Sequence, residues 1–302
     1  MSAIIQVNHL TKDFKEIKAV DDLSFTVNEG QVYGFLGQNG AGKSTTIRML
    51  LTLIEPTAGD IEIFGLQLRK HRKEILRQIG AIIEKPDLYK YLTAYENIRI
   101  FSRLSGVKVS DAKINEQLAM VGLADRTKSK VKTYSQGMKQ RLGLACALIQ
   151  DPRLIILDEP TNGLDPQGIA DMRNMIIHLS KDLGKTLLVS SHLLSEIEMV
   201  ADSMLIINKG RKVVEGKVSE LLNPSQSVVE LIAVDNAAAL EFLQHSEWSS
   251  ALKPVTNGTI KLEFDKVRIP ELNKQLVERG IAVMSLRPLH SLEDYFLSQT
   301  KV

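Results

Sequence analysis

Eight consecutive residues constrain this chain more than any others. Gly37-Gln38-Asn39-Gly40-Ala41-Gly42-Lys43-Ser44 satisfies the pattern G-x-x-x-x-G-K-[ST]. The run before it, Val32–Leu36, is apolar, carries aromatics and has the length of a strand. The run after it has helical periodicity through Leu53. A strand, a glycine-rich turn and a helix in that order converge consecutive backbone N–H groups and the positive end of a helix on one point, which suits a phosphate. Lys43 would reach the β- and γ-phosphates of a nucleotide, and the Ser44 hydroxyl would ligate Mg²⁺. A solvated glycine-rich turn is the plain alternative, and the strand–loop–helix context argues against it.

Other segments extend the same architecture. Residues 154–157 form a continuous apolar run of the kind expected of a strand buried on both faces. Pro166 then stands at a first helical position, Ile169, Met172, Ile176 and Leu179 recur at helical spacing, and Gly184 closes the segment. Residues 186–190 and Ser203–Asn208 read as further buried strands. This alternation predicts an α/β domain with a largely parallel sheet over residues 1–220. From about 85 to 150 the strand signals vanish. Tyr95, Ile98, Phe101 and Leu104, then Ile114, Leu118 and Val121, predict a helical subdomain inserted in the α/β body.

After Asn223-Pro224-Ser225 the pattern restarts, and residues 221–302 read as a small accessory domain. A strand is predicted at 227–234, a helix at 236–244 and a short strand at 253–255. Asn257-Gly258 signals a hairpin into an alternating strand at 259–264. A helix at 268–279 capped by Gly280, a strand at 281–287 and a terminal helix from Ser291 complete it. That β-α-β-β-α-β order is that of a ferredoxin-like, split-βαβ α+β unit. It contains no motif with assignable chemistry, and its Trp248 reads as packing.

Composition excludes several classes. No window of the 302 residues approaches the roughly 18 uninterrupted apolar residues of a membrane span. The first ten residues lack a basic n-region and an apolar h-region, so no signal peptide is expected. One cysteine, Cys146, cannot form an internal disulfide. Thirty-eight basic against thirty-six acidic side chains are too balanced for a dedicated polyanion binder, so no nucleic-acid partner is expected.

The strand at 154–157 ends in Asp158-Glu159. A buried strand gains nothing from charge at its carboxyl end unless something there offsets desolvation, as a magnesium ion does. Ligands of open α/β sheets bind at that end of the strands. Asp158 is the expected Mg²⁺ partner, and Glu159, one residue on, is placed to polarise an attacking water. Two solvated carboxylates are the alternative, which the phosphate loop 115 residues upstream disfavours.

Tyr134-Ser135-Gln136-Gly137-Met138-Lys139-Gln140-Arg141 opens a further helix, with Leu142, Ala145, Leu148 and Ile149 as its apolar face. Ser135 and Gly137 would lie at its N-terminus, a second anion-binding device in one domain. Alone, this is a serine helix cap. Beside the other motifs, the segment resembles the signature of the ATP-binding cassette (ABC) family, and the resemblance covers about residues 3–220. Phe14 falls where the family places an aromatic that stacks on adenine. Residues 37–44, followed by Thr45, match Walker A, and residues 154–159 match Walker B. Asp165, in Gly163-Leu164-Asp165, resembles the D-loop, and His192 the switch histidine that contacts the γ-phosphate.

The resemblance implies a P-loop ATPase core acting as a head-to-tail homodimer or a paired subunit. Two ATP molecules would lie between the Walker residues of one subunit and Ser135, Gln136 and Gly137 of the other. It also implies that Glu159 is the general base, assisted by Lys43 and His192. Tyr134, Gln136 and Met138 replace three residues of the usual Leu-Ser-Gly-Gly-Gln signature. Glu84 stands where the family has a glutamine, and its carboxylate would join Ser44 and Asp158 around Mg²⁺.

These variants, with the detached C-terminal region ending in Ser291-Leu292-Glu293-Asp294-Tyr295-Phe296, resemble the separate ATPase subunits of bacterial drug and antimicrobial-peptide exporters, of the bacitracin-resistance and lantibiotic-immunity kind. A membrane permease on another chain is then implied, with this subunit cytoplasmic and peripheral on the inner face of the cell membrane. Tyr89, Tyr91 and Tyr95, near the start of the helical insert, stand where a permease would dock, or are ordinary packing. A soluble, non-transport cassette ATPase, for example of the iron–sulfur assembly type, is the alternative. The spacing between the Walker motifs leaves no room for a DNA-maintenance coiled coil, and the single cassette does not match translation factors. A module with dead catalysis conflicts with the presence of Glu159 and His192.

Overall fold

The computed structural model describes residues 2–221, 227–253 and 259–289. The chain divides into two compact units, Met1–Lys217 and Val218–Val302.

The first unit opens on β1 (Ala3–Asp13) and β2 (Lys18–Asn28), an antiparallel pair whose alternation turns Ile5, Val7, Leu23, Phe25 and Val27 inward. Next come β3 (Val32–Leu36), buried throughout, and α1 (Lys43–Leu50). β4 (Ala58–Ile63) and β5 (Leu66–Gln67) complete an antiparallel sheet of order β2-β1-β4-β5. The sequence reading did not foresee this sheet. After α2 (Arg72–Leu76) and β6 (Ile79–Ile82) come the three helices of the insert, α3 (Ala94–Leu104), α4 (Asp111–Met120) and α5 (Gln136–Leu148). The α/β body resumes with β7 (Leu154–Asp158), α6 (Pro166–Lys181), β8 (Thr186–Ser191), α7 (Leu194–Val200), β9 (Ser203–Asn208) and β10 (Arg211–Lys217).

A six-stranded sheet of order β10-β9-β3-β8-β7-β6 forms the centre, and every neighbour is parallel except β10 against β9. Every residue of β3, β7 and β8 is buried, as expected of parallel strands covered on both faces. The carboxyl ends of β3, β7 and β8 lead directly into residues 37–43, Glu159 and His192, which brings the motifs to one edge of the sheet. The insert has its own core, in which Ile98, Ile114, Leu118, Leu142 and Ala145 meet. Thr93 starts α3 with a reciprocal capping box through Glu96.

α1 stops at Leu50 rather than running to Leu53, because Thr52 takes a left-handed backbone with φ 57°. In the second unit, α8 (Val218–Leu221), β11 (Ser227–Ala233), α9 (Asn236–Gln244), β12 (Ile260–Phe264), α10 (Ile269–Glu278) and β13 (Val283–Leu289) are joined by short 3₁₀ turns at Glu247–Ala251 and Lys266–Arg268. The sheet is antiparallel, of order β12-β11-β13. Of the short strand anticipated at 253–255 only Lys253 is described, and its N–H bonds the Lys261 carbonyl at 2.9 Å. Beside it, a bridge joins Leu252 to Leu262 of β12. The break at 223–225, the Asn257-Gly258 hairpin and the helix from Ser291 lie outside the described residues. Trp248 is buried edge-on against Phe264 and donates its indole N–H to Gln275 at 2.7 Å, a packing role. Among the described residues no helix is long and apolar enough to cross a membrane.

Candidate nucleotide site

The loop between β3 and α1 exposes Gln38, Asn39 and Gly40, buries Gly37, Ala41 and Gly42, and half-buries Ser44 and Thr45. Gly42 is required twice over. Its φ is 107°, and a Cβ there would lie 2.5 Å from the Ala19 carbonyl oxygen. With no side chain at Gly42, α1 begins at Lys43 with its first N–H groups directed into the loop. Lys43 Nζ donates back into the same loop, to the carbonyl oxygens of Gly37 at 2.5 Å and Gln38 at 3.3 Å. It also lies 3.1 Å from Glu159 Oε1, as an ion pair without an aligned hydrogen bond.

Glu159 stands one residue beyond β7 with a left-handed backbone, φ 49°. For a residue other than glycine, that conformation is tolerated only where the surroundings impose it. Its Oε2 contacts His192 Nδ1 at 2.8 Å. The second ring nitrogen, Nε2, is not engaged by that contact. Asp158 is fully buried and takes a 2.6 Å hydrogen bond from the Ser190 hydroxyl on its Oδ1, while Oδ2 has no partner. The same Ser190 oxygen accepts the Glu159 backbone N–H at 2.9 Å. One hydroxyl thus fixes both acids.

Lys43, Asp158, Glu159 and His192 are therefore one linked cluster. Glu84 is not part of it. Its carboxylate is exposed and held by Arg48 at 2.6 Å, and its backbone is left-handed, φ 57°. Among the described residues no group of three His, Cys, Asp or Glu side chains is arranged to hold a metal. An unsatisfied buried carboxylate oxygen on Asp158 and the Ser44 hydroxyl at the start of α1 nevertheless suit Mg²⁺. This ion keeps several waters and needs only one or two protein ligands when phosphates supply the rest.

Phe14 lies on the β1–β2 turn, about half exposed, with the Lys12 ammonium 5.0 Å above its ring centre. Ser135 is exposed and caps α5, accepting the Met138 N–H at 3.2 Å. Gln136 and Gly137 are half-buried on the first turn. Asp165 caps α6 by accepting the Gly168 N–H at 2.9 Å. Among the described residues no hydrogen bond or ion pair joins the Ser135 side chain to the cluster around Glu159.

Three contributors escaped the sequence reading. Besides Ser190 and Arg48, buried Gln140 on α5 donates to the Pro160 carbonyl at 3.1 Å, tying the insert to the loop after β7. Ser190-Ser191 closing an otherwise apolar strand was the available signal for the first. Nothing local marks the other two.

Comparison with known proteins agrees with this geometry. Residues 20–162 match the family model described as ABC transporter. Over 98% of its length the chain is 45% identical to the bacitracin transport ATP-binding protein BcrA of Bacillus licheniformis, covering 97% of that protein. Over 70% of its length it is 42% identical to the lantibiotic transport ATP-binding protein SrtF of Streptococcus pyogenes, covering 90% of it. A solved ATP binding subunit of an ABC transporter superposes on 72% of the chain, and 91% of its own, with TM-score 0.64 and 33% identity. The chain belongs to the ABC transporter family, as an ATP-binding subunit that hydrolyses ATP.

Proposed function

We propose that this subunit powers export of an antibiotic or antimicrobial peptide through a permease carried on a separate chain, working from the inner face of the cell membrane. Likeness over essentially the whole chain to a protein named for bacitracin transport supports that reading over a soluble, non-transport ATPase. ATP is held by residues 37–45, with Phe14 against the adenine. Ser44 and Asp158 hold Mg²⁺, which neutralises phosphate charge when bound. Glu84, held by Arg48 at 2.6 Å, would join them only by leaving that exposed ion pair.

The observation that carries the mechanism is the cluster around Glu159. A carboxylate fixed through its backbone by Ser190 and through its oxygens by Lys43 and His192 is prepared to orient a water and take its proton. Lys43 would stabilise the charge that develops on the γ-phosphoryl group, and His192 would act beside it.

Gly137 supports a composite site. Its backbone has no positive φ, and a Cβ there would meet nothing nearer than Gly168 Cα at 4.0 Å. Nothing among the described residues therefore calls for glycine at the start of α5, where it favours the helix less than alanine would. A phosphate presented by a second copy calls for it, with Ser135 and Gln136 beside it and Asp165 at the subunit contact. The test is affinity capture of the Glu159→Gln protein from detergent-solubilised native membranes with Mg-ATP. Co-purification of a polytopic membrane protein is expected. Recovery of only soluble assembly partners would move the function to a non-transport ATPase.

A further inference from the structure

The segment after the antiparallel sheet reads Arg69-Lys70-His71-Arg72-Lys73, with Arg77 one turn beyond, and all six side chains are exposed. Arg72 is pinned, its Nε donating to Thr52 Oγ1 at 2.6 Å, and His71 stands 3.5 Å from Glu74. Arg69, Lys70, Lys73 and Arg77 have neither an ion pair nor a side-chain hydrogen bond among the described residues. Lys73, on α2, and Arg77, at its C-terminal cap, are spaced i, i+4. Glu74, together with Glu55 and Asp60 in the groove beside Arg69, Lys70 and Arg72, are the neighbouring carboxylates. The five guanidinium and ammonium groups outnumber them. A chain whose overall charge is nearly balanced has concentrated uncompensated cations in nine residues.

The fold says where this patch points. Arg48, on α1, binds Glu84 at the entrance to the helical insert, and Thr52, one turn further along, binds Arg72. The basic segment and the entrance to the insert therefore meet at the C-terminal end of the same helix. Tyr89 and Tyr91 are exposed just past that entrance, where the proposed permease would dock.

We propose that Arg69, Lys70, Lys73 and Arg77 contact the anionic lipid surface of the membrane that holds the permease. This rests on the transporter reading, because only then does a bilayer lie beyond that end of the molecule. Clustered Lys and Arg side chains beside a bilayer are drawn to anionic headgroups, and the attraction decays within a Debye length. The contact orients the subunit and retains it near the membrane.

The experiment is co-flotation of the full-length protein with phosphatidylglycerol-containing vesicles, against vesicles of phosphatidylcholine alone, at low and high salt. The parent protein should bind the anionic vesicles selectively and release them at high salt. The variant R69Q/K70Q/K73Q/R77Q should bind at least about tenfold more weakly while hydrolysing ATP like the parent. A variant losing equal charge elsewhere, R126Q/K128Q/K130Q/K132Q in the insert, should keep binding. Equal vesicle binding by the parent and the first variant, equal loss in both variants, or no preference for anionic lipid would each overturn the proposal. If the parent hydrolyses ATP yet ignores the vesicles, only the lipid contact falls. If membrane capture returns no permease, the transporter reading falls instead.

Discussion

At the scale of single residues, the Ser190 hydroxyl is the least conspicuous part of the site and one of the most connected. It donates to Asp158 and receives the backbone N–H of Glu159. Ser190→Ala leaves Asp158, already lacking a partner on Oδ2, with neither oxygen bonded in a fully buried position. Loss of about 1–3 kcal/mol in urea-unfolding stability is expected. A change within about 0.5 kcal/mol would mean water already serves these groups. Glu159→Gln keeps the shape of the side chain and removes the proton acceptor. Turnover should fall by at least about 100-fold with ATP affinity preserved, measured by phosphate release and by nucleotide titration. Parental turnover would exclude Glu159 as the base. The only cysteine makes a simpler test. Burial pushes the Cys146 thiol well above its usual range, so the native protein should resist alkylation until it is unfolded.

At the scale of elements, α5 carries two glycines with different reasons to exist. A Cβ at Gly143 would lie 2.5 Å from Cβ and 2.7 Å from Cγ of Pro86, a rigid neighbour, so this glycine lets α5 approach the segment after Glu84. Gly143→Ala should destabilise the protein by about 1–3 kcal/mol despite the better helix former. Gly137→Ala should leave the stability of the isolated chain unchanged or slightly raised. Thermal unfolding of the two variants compares them directly, and equal destabilisation would contradict the distinction.

Sequence pattern reached α5, β3, β7 and β8 because each carries a continuous signal, an apolar run or a helical stripe next to a motif. The sheet β2-β1-β4-β5 was not legible. Its strands are half exposed, and register shifts between Val7 and Leu10 and between Leu10 and Lys12 break the alternation that would have announced them. Lys43, Asp158, Glu159 and His192 were legible because phosphate-loop chemistry restricts which residues can stand there. Arg48 and Gln140 were not, because their partners, Glu84 and Pro160, are met only in the folded chain. The ion pair of Glu84 with Arg48 was likewise invisible in the sequence.

At the scale of the molecule, each unit has a separate core, one of them closed by Trp248, Phe264, Leu272 and Leu276. A chain of residues 1–221 should therefore remain soluble, unfold cooperatively and hydrolyse ATP. Aggregation of that fragment would show that the second unit completes the fold of the first. The proposed composite site requires two copies for turnover, with Ser135 and Gly137 of one facing the nucleotide held by the loop of the other. The most direct measurement is the solution mass of the Glu159→Gln protein by light scattering, with and without Mg-ATP, alone and combined with Gly137→Arg. Dimers are expected only for Glu159→Gln with Mg-ATP, while the combined variant still binds nucleotide as a monomer. A monomer under every condition, with ATP demonstrably bound, would contradict the composite site.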